Sequence, residues 1–344
     1  MKNTKKFNSK KFKSAYIETN KQSKLNLNQI SPKVIKIFII LSVIFLLILI
    51  LYLLLHFFII PIFSKKNDID FDYINYERDI ITTEMREKSG WDLTEEEAYF
   101  INGILRRKKP RKCLEIGVGR GGSSILILNA IKDIKDSYLI SMDIHNQVEG
   151  DNSRDIGYKV KKYFNDLSSN WQLFTGDMPH KFLENINLKY DFVLLDTTHT
   201  MPGEVLNIIE ILPFLEDNAI IVLRSLFNHL TNALNKRMDK SIVRAMPSTV
   251  FLMSSLAGQK IIIKNEQNFL NIGAVFLDKN QEKHYRDYFL LLNCFWEKML
   301  SDEKIFQLKL FIEKYYKKQI YMDLLENAIL YNKEYQKNFN NPQR

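Results

Sequence analysis

Cysteine is nearly absent from this sequence: Cys113 and Cys294 are the only two, and they stand far apart. Two distant thiols define neither a disulfide framework nor a metal-site spacing, so they read as buried reduced residues. A net charge is also missing where a nucleic-acid binder would need it. The chain of 344 residues has a net charge of +9, yet residues 1–36 hold ten lysines against one acid, Glu18. Residues 37–344 therefore balance to zero. Basic character confined to a tail argues against a nucleic-acid partner, whose footprint belongs on a folded domain.

Formal charge is lacking altogether from Ile37 to Ile60, "IFIILSVIFLLILILYLLLHFFII". As a helix these 24 residues would span about 36 Å, enough to cross a hydrocarbon core of about 30 Å with some tilt. No polar face is present, so a buried core helix is the weaker reading. The run is too long for a signal-peptide core, and "PIFSKK" after it offers no small-residue cleavage site. The expectation is an uncleaved anchor in the lipid bilayer.

Five segments follow from composition and pattern. Residues 1–33 are a polar, basic tail that reads as disordered. Residues 34–63 hold the anchor and 64–90 read as a linker with one possible helix. A globular domain is expected over 91–280, and a helical, aromatic-rich extension over 281–344.

The globular domain opens with a helix signal. Thr94 and Glu97 form a capping box, Ala98, Ile101 and Leu105 recur on one face, and Pro110 closes the element. Strand and helix signals then alternate. Strands are expected at Lys112–Ile116, "SYLISMDI", "WQLFTGD", "YDFVLLD" and "AIIVL". Helices are expected from Ser123 to about Asp133, from Asp155 to about Ser169, and from about Gly203 to Leu215. This βα alternation with strongly apolar strands predicts an α/β fold, a Rossmann-like, doubly wound and mostly parallel sheet. "QKIIIK" and "NIGAVFL" are too close for a crossover and predict a C-terminal antiparallel hairpin.

The stretch "KCLEIGVGRGGSS", Lys112–Ser124, carries the chemistry. Gly117, Gly119 and Gly122 fit the dinucleotide pattern G-x-G-x-x-G, and Asp143 lies at the right distance beyond them to meet a ribose hydroxyl. Glu115, Gly117, Gly119 and Gly121 also fit E-x-G-x-G-x-G. In an open α/β sheet the ligand lies at the carboxyl ends of the strands, where Asp143, Asp177 and Asp196 fall. Glu115 favours a cationic ligand over a pyrophosphate, because an acid attracts an ammonium group and repels a dianion. A capped helix before the first strand and an antiparallel end to the sheet point the same way.

Together these features resemble the class I S-adenosylmethionine-dependent methyltransferases over roughly Trp91 to Asp278. Within them the likeness is to the group of sugar O-methyltransferases and cephalosporin-hydroxylase-like proteins, through "LEIGVGRGGSS", "DFVLLDTTHT" and "NIGAVFLD". The resemblance implies S-adenosylmethionine as cofactor. It implies that Glu115, Gly117, Gly119 and Gly121 form the cofactor loop, that Asp143 takes the ribose hydroxyls, and that Asp177 lies near the adenine. "DTTHT" stands where this group often has D-x-x-H, which implies catalytic roles for Asp196 and His199, with His199 as general base.

The sequence departs from the family at one point. Metal-dependent members place an acidic pair at the end of the next strand, where this chain has Arg224 and Ser225. Asp196 alone is a poor magnesium site, and Arg224 could pair with it. No metal is expected. The functional expectation is a membrane-anchored enzyme that O-methylates a small-molecule or glycan acceptor such as a sugar or glycolipid. A cofactor-binding membrane scaffold without turnover, or an NAD-dependent oxidoreductase, are the alternatives. The cofactor is cytoplasmic, which favours a single-pass or in-plane anchor with the domain on the cytoplasmic face. The lysine-rich tail favours the opposite orientation. The oligomeric state is not readable.

Overall fold

The computed structural model describes residues 72–226, 248–264 and 269–339. The basic tail and the apolar run Ile37–Ile60 lie outside the described residues. Among those described, no helix is long and apolar enough to cross a membrane.

Seven strands form one sheet: β1 (Lys112–Ile116), β2 (Tyr138–Asp143), β3 (Trp171–Thr175), β4 (Tyr190–Leu195), β5 (Leu215–Arg224), β6 (Gly258–Lys264) and β7 (Phe269–Leu277). Their order is 3-2-1-4-5-7-6. The first five run parallel, while β7 pairs antiparallel with both β5 and β6. In the dinucleotide-binding sheet the order is 3-2-1-4-5-6. Here the short "NEQNFL" connection makes β6 and β7 a hairpin, and it is β7 that lies beside β5.

Alternate strand residues feed two cores. Leu114, Ile116, Val193, Leu195, Ile221 and Leu223 face one side. Cys113, Leu139, Phe192, Leu194, Ile220 and Val222 face the other. The second face is covered by α1 (Thr83–Ser89), α2 (Glu95–Lys108), α3 (Gly122–Ile131) and the short α4 (Tyr158–Tyr163). The first face is covered by α5 (Pro179–Ile186), α6 (Gly203–Ile211), α7 (Ser248–Ser255), α8 (Tyr285–Leu290), α9 (Asp302–Tyr316) and α10 (Gln319–Phe339). Each fully buried aliphatic or aromatic side chain contributes about 1.5–3 kcal/mol, so the central strands, buried on both faces, hold the two layers together.

The capping box of α2 forms as the sequence implies. Thr94 Oγ1 accepts from the Glu97 N–H, and the Glu97 carboxylate accepts from the Thr94 N–H. Ala98, Ile101 and Leu105 are buried.

The structure corrects several boundaries. Residues 72–90, expected as linker, pack into the domain: Tyr73, Ile81 and Met85 are core residues. The residues after 281, expected as a separate extension, share the core of the first face, with Phe289, Leu308, Phe311 and Leu325 buried in it. The expected helix from Asp155 to Ser169 is shorter, because Gly157 has φ 70° and opens α4 only at Tyr158. Gln147–Val148 and Asp151–Asp155 pair as a small antiparallel ribbon. Helices α5 and α7 were not expected. Pro at the first position of α5 is the start signal that pattern reading passed over.

Candidate active site

A cleft of about 460 Å³ opens at the carboxyl ends of β1, β2, β4 and β5. Its floor is the glycine loop after β1. Trp91 and Leu93 form one wall, Ile144, Met178 and Pro179 another, and Leu300 reaches in from the loop before α9.

Gly117 and Gly119 serve different ends. Gly117 has φ 88°, and a Cβ there would meet the Asp196 carbonyl oxygen at 1.9 Å. Only glycine lets the ends of β1 and β4 approach so closely. Gly119 has φ 52° and would place a Cβ in open space, and it lines the cleft. Among the loop glycines it is the one at which a side chain would take up ligand volume. Gly121 stands at the N-terminus of α3 with its α-carbon face against Gly157.

Glu115 is not brought into the cleft, contrary to the expectation of contact with the cofactor. It is fully buried beneath α3. Its Oε1 accepts from Ser123 Oγ at 2.5 Å, and its Oε2 accepts from Ser124 Oγ and Ser141 Oγ, both at 2.6 Å. Trp171 Nε1 donates to Ser141 Oγ at 2.9 Å. Burial outweighs the three hydroxyl donors and pushes the Glu115 carboxyl up to about 7. Ser123 lines the cleft and stands between this acid and any ligand.

Asp143, at the end of β2, does line the cleft. Its Oδ2 accepts from the N–H groups of Val118 and Gly119 at 2.9 and 3.1 Å, and its Oδ1 accepts from the His145 N–H at 2.9 Å. A carboxylate offers about four acceptor sites, so holding the loop leaves room for a ligand hydroxyl. Asp177 also borders the cleft, and its Oδ1 accepts from the Met178 N–H at 2.8 Å.

The other half of the cleft is an ionic cluster. Arg224, at the end of β5, donates from Nη1 to Asp196 Oδ2 at 2.9 Å. Its Nη2 donates to the Asp92 carbonyl, and its Nε lies 3.9 Å from Glu97 Oε2. Burial opposes the guanidinium charge, but Asp196, Glu97 and Asp92 together hold it above its ordinary value. The carboxylate that a cation would need is thus already neutralised by Arg224. Among the described residues no group of three or more His, Cys, Asp or Glu side chains is placed to hold a metal.

His199 sits between two acids. Its Nδ1 lies 2.7 Å from Glu204 Oε1, and its backbone N–H donates to the same oxygen at 3.1 Å. Its Nε2 lies 3.4 Å from Asp196 Oδ1. Burial disfavours the imidazolium, but the hydrogen bond and charge of Glu204, with Asp196, outweigh it and raise the His199 pKa. Glu204 is fully buried in the first turn of α6, and its other oxygen accepts from Ser248 Oγ. Sequence reading missed Glu204. An acid five residues beyond His199 at a helix start looks like an ordinary first-turn charge.

Residues 114–225, from β1 to just past β5, match the family model described as a methyltransferase domain. The chain carries a methyltransferase domain. Most of the residues that line the cleft fall within this match, while Gly90, Trp91, Asp92, Leu93 and Leu300 come from outside it. No curated protein matches the chain. Among solved structures it is similar to the O-methyltransferase TomG of Streptomyces achromogenes, with 11% identity, a TM-score of 0.40, and 65% of this chain and 96% of that one covered. It is also similar to the O-methyltransferase of Bacillus cereus, with 13% identity, a TM-score of 0.40, and 64% and 96% covered. The Podospora anserina methyltransferase PaMTH1 shares 15% identity at a TM-score of 0.42, with 58% and 89% covered. The family match and the cleft, not these distant likenesses, carry the functional reading.

Proposed function

We propose that this protein is an S-adenosylmethionine-dependent O-methyltransferase held at a membrane by its N-terminal apolar run. The observation that carries the reading is the cleft within the matched methyltransferase domain, with Gly119 open to ligand and Asp143 at its edge. The residues fit the cofactor. Gly119 leaves space against the backbone, Asp143 keeps an acceptor for a hydroxyl, and Ser123, its proton donated to Glu115, offers lone pairs to an ammonium group. Asp177 and Met178 line the same cleft, and the sequence resemblance assigns Asp177 to the adenine. When bound, S-adenosylmethionine supplies an electrophilic methyl group on a sulfonium.

The chain's own tasks are positioning and proton removal. His199 accepts the proton of the acceptor hydroxyl, and Asp196 stays paired with Arg224. The Arg224 guanidinium supports a reaction without magnesium. The sugar or glycolipid character of the acceptor rests on the sequence resemblance, as does the bilayer partner on Ile37–Ile60. The cytoplasmic face for the domain follows from where the cofactor is made.

Calorimetry of the full-length protein in detergent with S-adenosylmethionine, S-adenosylhomocysteine and NAD tests the cofactor. Binding of the first two and not of NAD is expected. The reverse pattern would replace the methyltransferase with the oxidoreductase reading.

A further inference from the structure

His199 has an unusual mounting for a residue on a loop. Its backbone is in the left-handed region, φ 59°, where a non-glycine residue needs support. That support comes from a single buried carboxylate. Glu204 Oε1 accepts from the His199 backbone N–H and faces Nδ1 of the same residue. Glu204 Oε2 accepts from Ser248 Oγ, and the Ser248 N–H donates to the His199 carbonyl at 3.2 Å. The loop is thus held at its N–H, its carbonyl and its ring by two residues from α6 and α7.

Resting on the reading of His199 as the base, we infer that Glu204 is its positioning residue: it fixes the ring proton on Nδ1 and makes Nε2 the atom that takes the acceptor's proton. The logic is that of donors and acceptors. An ionised carboxylate only accepts, and the single N–H of the neutral ring goes to the stronger of its two acids: Glu204 Oε1 is 2.7 Å from Nδ1, while Asp196 Oδ1 is 3.4 Å from Nε2 and its charge is offset by Arg224. In the neutral ring the second nitrogen is then the base. Glu204 also lies where it offsets the positive charge that forms on the imidazole once the proton has moved. Ser248 in turn fixes the carboxylate's rotation. Neither Glu204 nor Ser248 lines the cleft, so neither touches substrate.

The test uses the full-length protein in detergent with isotope-labelled histidine, its His199 signals identified by their loss in His199→Gln. Ring-nitrogen shifts at high pH report which nitrogen holds the proton in the neutral ring. Wild type is expected to hold it on Nδ1. Glu204→Ala is expected to move it mainly to Nε2, the form neutral imidazole prefers in water. Glu204→Gln is expected to restore Nδ1, because its amide oxygen still accepts. S-adenosylhomocysteine binding, unchanged in each variant, shows that the domain is folded. A wild-type ring protonated on Nε2, or a Glu204→Ala ring identical to wild type, overturns the inference. Should Glu204→Ala not fold, Ser248→Ala replaces it: a reduced Nδ1 population supports the inference and an unchanged one overturns it. Full methyl transfer by His199→Ala is a separate result, which removes the base reading and leaves the ring's tautomer as measured.

Discussion

At the carboxyl ends of β1 and β2, the first half of the site, the cleft acid Asp143 and Glu115 buried behind the cleft are met by neutral donors. Three serine hydroxyls serve Glu115 and three backbone N–H groups Asp143. At the ends of β4 and β5, the second half, the cleft acid Asp196 and Glu204 buried behind it in α6 are met by charged or titrating partners, Arg224 and His199. The difference is physical. Neutral donors fix the glycine loop through Asp143 without bringing a positive charge to it, and burial favours the neutral form of Glu115. Charged partners cancel the acids and leave a positioned imidazole. On the proposed reading, binding and proton transfer are separated along the sheet.

The largest expected effect attacks the first half. Gly119→Val fills the open space and strains a backbone at φ 52°, so S-adenosylhomocysteine affinity should fall by about 100-fold or more in calorimetry. A folded Gly119→Val protein that binds normally would show that the ligand lies elsewhere. His199→Ala attacks the second half. It should lower methyl transfer by about 100-fold or more, as loss of a general base does, while cofactor affinity stays within about two-fold. Loss of binding in this variant would merge the two halves.

The pH profile sharpens the comparison. The raised His199 pKa means that the base form appears only above the ordinary value of about 6.5. The acidic limb of kcat/KM should therefore lie above pH 6.5, with the rate rising about tenfold per unit below the midpoint. The same shift acts on stability. The imidazolium's contribution is fully present below about pH 6.5 and is lost as pH rises through the higher folded value. A limb below pH 6.5 would mean that Glu204 and Asp196 do not govern the ring.

Ser141→Ala removes one of three donors from Glu115 and the partner of Trp171 Nε1. A loss of about 1–3 kcal/mol in denaturant unfolding is expected, with the pH limb unmoved. The smallest effect is none: EDTA should leave methyl transfer unchanged, since Arg224 neutralises Asp196. Loss of activity in EDTA, regained with magnesium, would defeat that account.

Much of the first half was legible in the sequence. The strand Lys112–Ile116, the glycine loop and the acid at the end of β2 sit in local patterns whose spacing is fixed by chain geometry. Position was readable there, but partners were not. The spacing of Glu115 points to a ligand, whereas its three hydroxyl donors come from the start of α3 and from β2. Asp143 was assigned to a ribose, and its loop-holding bonds emerge only when β1 and β2 lie side by side. In the second half, "DTTHT" pointed to Asp196 and His199, and the substitution at Arg224 suggested its pairing with Asp196. Glu204 and Ser248 gave no signal, because no local pattern distinguishes a buried first-turn acid from an exposed one.

The sequence by itself determined the alternating βα order, the parallel sheet with its antiparallel end, and the loop that opens to a ligand. These follow from periodicity, glycine and short-range spacing. Only the tertiary structure decided that residues 72–90 and the C-terminal helices belong to the same fold, since their apolar faces find partners far along the chain. It alone decided which acids face the cleft and which lie behind it. A side chain's charge is written in the sequence, but its solvent, its donors and its distance to a counter-charge are set by packing.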